Sequence, residues 1–210
     1  MKIFVPFEPR DPKTRLSPVL SESERREFSV SMLRDVVSAV RGSGNRPVLL
    51  STVDGEFGLP EIDVRIDDRP LDAAVNAVLE EYDRPLAVLM SDLAIADPDS
   101  VRKITDPVSE GGVDLALAPG LRGGTNGFAV RDKEFRVNYH GTSFRDHIEV
   151  AEGQGTGYET VDSLRLGIDI DEPCDLVEVL IHGEGESYRY LNERFRLDTQ
   201  DSGEVRLESR

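Results

Sequence analysis

Leu86-Ala87-Val88-Leu89-Met90 is apolar at every position, and so short a run suits a strand covered on both faces. A chain built around such a strand needs helices on two sides of one sheet, and the flanking segments supply them. Residues 2–7 read as a short buried strand, Pro47–Leu50 as a second, and Ile62–Ile66 as a third, alternating one. Between the first two, Ser21 and Glu24 have the spacing of a capping box. Phe28, Met32, Leu33, Val36, Val37 and Val40 follow at helical intervals, and Gly42 and Gly44 close the element. Leu71–Tyr82 repeats the helical period with Leu71, Ala74, Val75, Val78 and Leu79 on one side. Asp97-Pro98 opens another helix, with proline at its first position, and Val113–Ala118 and Phe128–Val130 read as further strands. This order predicts an α/β fold, a mostly parallel sheet with helices on both faces. Such sheets bind ligands beyond the carboxyl ends of their strands. Two places are singled out: the loop after the first strand, and Ser91-Asp92 after the fourth.

The 210 residues fit one medium domain, expected over 1–197, with a polar tail over 198–210 that reads as a small hairpin or a frayed end. The chain holds 41 acidic and 25 basic residues, a net charge of −16, and only four of its basic residues are lysines. A field of that sign repels nucleic acid and anionic lipid, so neither is expected as a partner. Abundant carboxylates with scarce lysine suit a high-salt cytoplasm, where screening removes the self-repulsion; an ordinary acidic protein is the alternative. The single Cys174 cannot form a disulfide within the chain, lacks neighbours for a zinc site, and reads as a core residue. No apolar run approaches the ~20 residues that span a bilayer. No basic-then-apolar leader precedes the first strand. A soluble, cytoplasmic protein is expected.

The loop Glu8–Ser17 places Arg10, Lys13 and Arg15 at the end of a strand. Such a cluster suits a polyphosphate, because charge-assisted hydrogen bonds are worth roughly 1.5–3 kcal/mol each and arginine adds bidentate geometry. A solvated surface loop is the plainer alternative. Asp92 follows the most apolar strand, where a carboxylate can hold Mg²⁺ against phosphate oxygens or merely cap a turn. In Gly167-Ile168-Asp169-Ile170-Asp171-Glu172-Pro173, the two aspartates alternate with apolar residues and would share one face of a strand. Asp169 is the stronger candidate for a second metal ligand, and Asp171 for the cap of a helix starting at Pro173. Leu121-Arg122-Gly123-Gly124-Thr125-Asn126-Gly127 joins two strands. Its glycines let amides approach an anion, and Thr125 and Asn126 add donors, although a plain hairpin turn would read the same. Thr142 or Ser143 opens a helix whose hydroxyls and amides could also hold an anion. His140 and His147 have poor metal spacing and suit packing or surface roles. Asp72 and Asn76, at the start of a helix, are candidates for reading a nucleobase.

Pro12-Lys13-Thr14-Arg15-Leu16-Ser17-Pro18-Val19-Leu20 with Glu24-Arg25-Arg26-Glu27-Phe28 resembles the opening signature of the 2-phospho-L-lactate guanylyltransferase family of archaea. Ser91-Asp92-Leu93, Gly123-Gly124-Thr125-Asn126, Tyr139–Phe144, Asp169-Ile170-Asp171-Glu172-Pro173 and Leu180-Ile181-His182-Gly183 resemble its later blocks, in order. Ala94 departs from the proline that many relatives have after Asp-Leu. The resemblance covers about residues 1–197. It implies a three-layer α/β/α fold of the nucleotide-diphospho-sugar transferase type and a homodimeric enzyme. The implied reaction transfers GMP from GTP to 2-phospho-L-lactate, giving lactyl-2-diphospho-5'-guanosine and pyrophosphate, in coenzyme F-420 biosynthesis. Bacterial relatives use phosphoenolpyruvate instead. It further implies that Lys13 and Arg15 face the GTP phosphates, that Asp92 and Asp169 hold Mg²⁺, and that Thr125, Gly141 and Ser143 hold the acceptor. A molybdopterin or sugar-phosphate nucleotidyltransferase is the nearest rival, but its typical glycine-rich first loop is missing here.

Overall fold

A computed structural model describes residues 1–199 and 205–210 of the chain. The first half runs β1 (Lys2–Phe7), α1 (Glu22–Gly42), β2 (Arg46–Ser51), β3 (Asp63–Ile66), α2 (Leu71–Glu81), β4 (Leu86–Leu89) and α3 (Pro98–Ser109). The second runs β5 (Leu115–Pro119), β6 (Thr125–Val130), α4 (Ser143–Gln154), β7 (Tyr158–Thr160), α5 (Leu164–Gly167), α6 (Asp175–His182) and α7 (Glu186–Asn192). A seven-stranded sheet has the order β3-β2-β1-β4-β6-β5-β7. Only β6 opposes the common direction, pairing antiparallel with β4 and β5, and the other pairings are parallel. The mostly parallel sheet that the apolar runs predict is the one observed.

The period-two alternation of the strands decides which helix each side chain meets. Ile3, Val5, Ala87 and Leu89 pack with Leu33, Val36, Val37 and Val40 of α1 and Val101, Ile104 and Val108 of α3. Phe4, Leu86 and Val88 turn the other way, toward Ala74, Val75 and Val78 of α2 and toward Phe128 and Phe135. A third cluster joins Leu16 and Leu20 of the first loop to Phe28 and Met32 of α1, Leu176 and Val179 of α6, and Leu191 of α7. This last cluster roots the loop after β1 in the body of the protein. α1 starts at its expected cap: Ser21 accepts from the Glu24 amide and the Glu24 carboxylate accepts from the Ser21 amide. Removing such a cap costs about 1 kcal/mol. Asp97 and Ser100 cap α3 in the same reciprocal way.

β6 begins at Thr125 rather than Phe128, so Thr125, Asn126 and Gly127 are ladder residues and not a turn. A side chain at Gly127 would collide with Leu89 and crowd the Val88 carbonyl, which explains a glycine inside a buried strand. The segment holding Asp169 and Asp171 pairs with no strand among the described residues, and it is tied to the exit of β4 by the Ile170 amide on the Asp92 carbonyl, 3.2 Å. The helix expected from Pro173 starts at Asp175. β8 (Phe195–Thr199) and β9 (Val205–Ser209) form an antiparallel pair that includes most of the expected polar tail, of which residues 200–204 lie outside the described residues. Among the described residues, no helix is long and apolar enough to cross a membrane.

Candidate active site

β1, β2 and β4 all end on one side of the sheet, and the loop leaving β1 folds over that edge. Two of its residues, Asp11 at φ 45° and Lys13 at φ 54°, adopt the left-handed conformation. For residues with a Cβ this costs roughly 1–2 kcal/mol each, and such strain clusters where structure serves function. The left-handed turn sends the Lys13 side chain inward. Its Nζ lies 2.6 Å from Asp92 Oδ2 and 2.7 Å from Asp171 Oδ1, with the side chain only 13% exposed. Burial works against the ammonium, but the Asp92 and Asp171 carboxylates outweigh it and hold the Lys13 pKa above its ordinary value. Arg15 Nη1 binds the other oxygen of Asp171 at 3.2 Å. Arg10 pairs with Glu8 at 3.1 Å. Arg10, Lys13 and Arg15 all line one cleft of about 350 Å³, together with Ser91, Asp92 and Asp171. The sequence cluster is therefore a spatial one.

Asp92 Oδ1 is buried and has no hydrogen-bond partner among the described residues, an unusual state for a carboxylate oxygen. Asp169 stands close by. Burial and then the negative charge of Asp92 push its pKa up, and Asn126 Nδ2 donates to its Oδ1 at 3.2 Å. No group of three or more His, Cys, Asp or Glu among the described residues could cage a metal on its own. A divalent cation here would rely on one or two carboxylates and the substrate's phosphates, which is the way Mg²⁺ is commonly held. The orphaned oxygen of Asp92 fits that use.

Asp171 does not cap a helix; its carboxylate belongs to Lys13 and Arg15. Asp175, the first residue of α6, instead turns back on the segment before the helix, its Oδ2 accepting from the amides of Asp171 at 2.9 Å and Glu172 at 2.8 Å. Arg122 in turn grips Asp175 through two bonds, 2.8 and 3.1 Å. Because Asp175 is the side chain that turns inward, Cys174 beside it is exposed, and the core expectation for it is corrected.

A second, more apolar cleft of about 490 Å³ adjoins the first, sharing Phe7 and Glu8. Pro6, Leu50, Leu71, Ala74 and Met90 line it, with Thr52, Asp67 and Arg69 at polar positions. The Thr52 hydroxyl is buried, next to the Glu8 carboxylate that both clefts share. Sequence reasoning did not find Thr52; its position one residue past β2 is the signal it offered. Asp72 and Asn76 sit elsewhere on α2. Asp72 accepts from the Tyr139 amide, and Asn76 exchanges two bonds with the Val137 backbone, 2.9 and 3.0 Å. Both serve to pin the chain that leads to α4.

Thr125 and Ser143 are each 3% exposed. Ser143 Oγ accepts from the Thr125 amide at 3.0 Å, and Thr125 Oγ1 lies 2.8 Å from His147 Nδ1. His147 Nε2 accepts from the Asn138 amide at 3.0 Å, so the ring's proton sits on Nδ1 and is donated to Thr125. These hydroxyls point inward, locking the start of β6 to α4. Gly141, by contrast, is exposed, with open space where a Cβ would stand. Burial pushes the His147 imidazole down to about 4. The sign follows from linkage: between about 4 and 6.5 the unfolded chain binds the proton that the fold refuses. The contribution of His147 to stability is thus complete above about pH 6.5 and is lost progressively as pH falls toward 4. The expected result is a His147 ring signal in NMR that stays neutral at pH 5.5; a titration centred near 6.5 would contradict it. His140 is half exposed, with Nδ1 3.4 Å from Asp146, the surface role its spacing suggested.

A family model described as guanylyl transferase CofC like matches residues 1–210. The 2-phospho-L-lactate guanylyltransferase of Halomicrobium mukohataei is 47% identical over 191 residues, spanning 91% of this chain and 91% of its own. That of Natronomonas pharaonis is 44% identical over 211 residues and spans 100% of both chains. Among solved structures, a Desulfovibrio desulfuricans G20 protein described as a nucleotide-diphospho-sugar transferase matches at a TM-score of 0.70. It is 16% identical, with 91% of this chain and 94% of that chain covered, which bears on the fold alone.

Proposed function

The chain belongs to the guanylyl transferase CofC like family, and from that premise we propose that it transfers GMP from GTP to 2-phospho-L-lactate. The product is lactyl-2-diphospho-5'-guanosine, and pyrophosphate leaves. The observation that carries this reading onto the site is the Lys13 ammonium held between Asp92 and Asp171 on the floor of a cation-lined cleft. In the reaction a phosphate oxygen of the acceptor attacks the α-phosphorus of GTP. A new P–O bond forms there as the bond to the β-phosphate oxygen breaks. The acceptor phosphate is already an anion, so no side chain has to remove a proton. What the protein must supply is alignment and neutralisation of charge.

Lys13 and Arg15, with Arg10 at the rim, would hold the triphosphate. Asp92 and Asp169 would hold Mg²⁺, which when bound neutralises charge on the phosphates. The apolar second cleft, opening beside the phosphate cleft, would seat the guanine, with the Thr52 hydroxyl available to one of its polar edges. Asp72 and Asn76 would contribute from behind by fixing the chain around Val137 and Tyr139. The acceptor would lie along the turn where Gly123 faces Gly141, with Thr125 and Ser143 fixing that turn from inside. Asn126 would link it to Asp169. We read the charge of −16 as suited to a high-salt cytoplasm, and the enzyme as a homodimer, as the resemblance implies. Pyrophosphate release with GTP, ATP, CTP and UTP at high salt, each with 2-phospho-L-lactate, tests the reading. GTP should exceed the others by at least ~10-fold, a modest demand beside the roughly 10⁴-fold that buried hydrogen-bonding groups can reach. Equal release with ATP would count against it.

A further inference from the structure

We propose that Arg25 is a positioning residue for this transfer, a guanidinium threaded into the loop between β1 and α1 that fixes the left-handed turns on which Lys13 is mounted. The inference rests on the function proposed above. Arg25 lies in the first turn of α1, yet it is only 8% exposed, unusual for a charged residue this near a helix end. Its three nitrogens go to three different points of the loop. Nη2 is 2.7 Å from Asp11 Oδ1, Nε is 3.2 Å from the Pro12 carbonyl, and Nη1 is 3.4 Å from the Leu20 carbonyl. These contacts bracket Lys13 on both sides in sequence.

The far bracket is a fixed point. Leu16 and Leu20 are 0% and 2% exposed, packed against Phe28 and Met32 of the same helix. One rigid, planar group therefore ties the anchored end of the loop to Asp11 and Pro12, the two residues that lead into Lys13. Asp11 and Lys13 both hold positive φ, and such conformations persist only when the surroundings determine them. An arginine can do this where a lysine cannot, since only the guanidinium spans three acceptors in one plane. α1 does not need Arg25 for its own start, because Ser21 and Glu24 already satisfy that end. Nor does Arg25 line the phosphate cleft, so its effect on the reaction passes through the loop that carries Lys13.

The test uses the full-length protein with Arg25→Lys, Arg25→Ala and Asp11→Asn, measured at one salt concentration. Steady-state rates with each substrate, calorimetric GTP affinity without acceptor, and melting temperature are compared. Arg25→Lys is expected to lower kcat/KM for GTP by about 10- to 100-fold while leaving KM for the acceptor unchanged. Asp11→Asn should move the same constants in the same direction by less, and added guanidinium should return part of the activity of Arg25→Ala. Normal GTP constants in Arg25→Lys overturn the proposal. So does a loss that follows the melting temperature, moves both substrates alike and is not returned by guanidinium. Should the Arg25 variants fail to fold, Asp11→Asn is the readout: it removes a negative charge from the phosphate cleft, which by itself favours GTP, so a fall in the GTP constants reports the weakened tie to Arg25, and unchanged or improved constants there overturn the proposal. A wild-type protein that forms no guanylyl product defeats the functional reading instead, so the two failures are told apart.

Discussion

Lys13→Met should lower turnover with GTP and 2-phospho-L-lactate by at least ~10³-fold, about 4 kcal/mol at 1.36 kcal/mol per decade. Methionine matches the length of the lysine stem but brings no charge. Lys13 Nζ is within 2.7 Å of two different carboxylates, and those carboxylates are only 21% and 31% exposed. Without the ammonium, two like charges would face an incoming triphosphate with no cation between them, at a low-dielectric edge where repulsion is poorly screened. Binding of GTP and stabilisation of the transition state should both suffer, the second more. The fold should suffer less, since Asp171 keeps Arg15 at 3.2 Å and the loop keeps its apolar roots at Leu16 and Leu20. Single-turnover rates and melting curves measured at one salt concentration provide the check. A variant within tenfold of wild type would reduce Lys13 to a structural counter-ion.

Much of this site was legible because strong local rules pointed the same way as the fold. The capping box at Ser21 and the apolar register of Leu86–Leu89 needed no tertiary information, and they place Lys13 and Asp92 at the same sheet edge. Asp171 was misread for an identifiable reason. An aspartate two residues before a proline looks like a helix cap, but α6 starts only at Asp175, which reaches back to the amides of Asp171 and Glu172 and leaves the Asp171 carboxylate to Lys13. The alternation of Asp169 and Asp171 with Ile168 and Ile170 did survive without a ladder, since both isoleucines are buried. Thr125 and Ser143 show another limit. Hydroxyls near glycines suggest a ligand, and only the position of His147, 22 residues beyond Thr125, reveals that the bond is internal. The short elements β7, α5 and α7 carry too few residues to show a period. Nothing in the sequence around Arg25 signals its three loop contacts, which only the fold brings together.

Asp92→Asn tests the central claim, that the carboxylate at the end of β4 works with Lys13 in catalysis. Its Oδ2 binds Lys13 while its buried Oδ1 has no partner among the described residues, and an unsatisfied buried oxygen costs roughly 1–3 kcal/mol. Such a cost is best explained by a cation that arrives with the substrate. Asparagine keeps the shape and still offers an oxygen to Lys13, and it removes a charge that pushes up the proton affinity of Asp169. Stability should therefore hold or rise slightly. The decisive measurement is turnover per folded molecule, with the melting temperature taken on the same samples. The account predicts a fall of at least ~100-fold, about 2.7 kcal/mol, at an unchanged melting temperature. Near-normal turnover, or a collapse of stability that accounts for the whole loss, would contradict it.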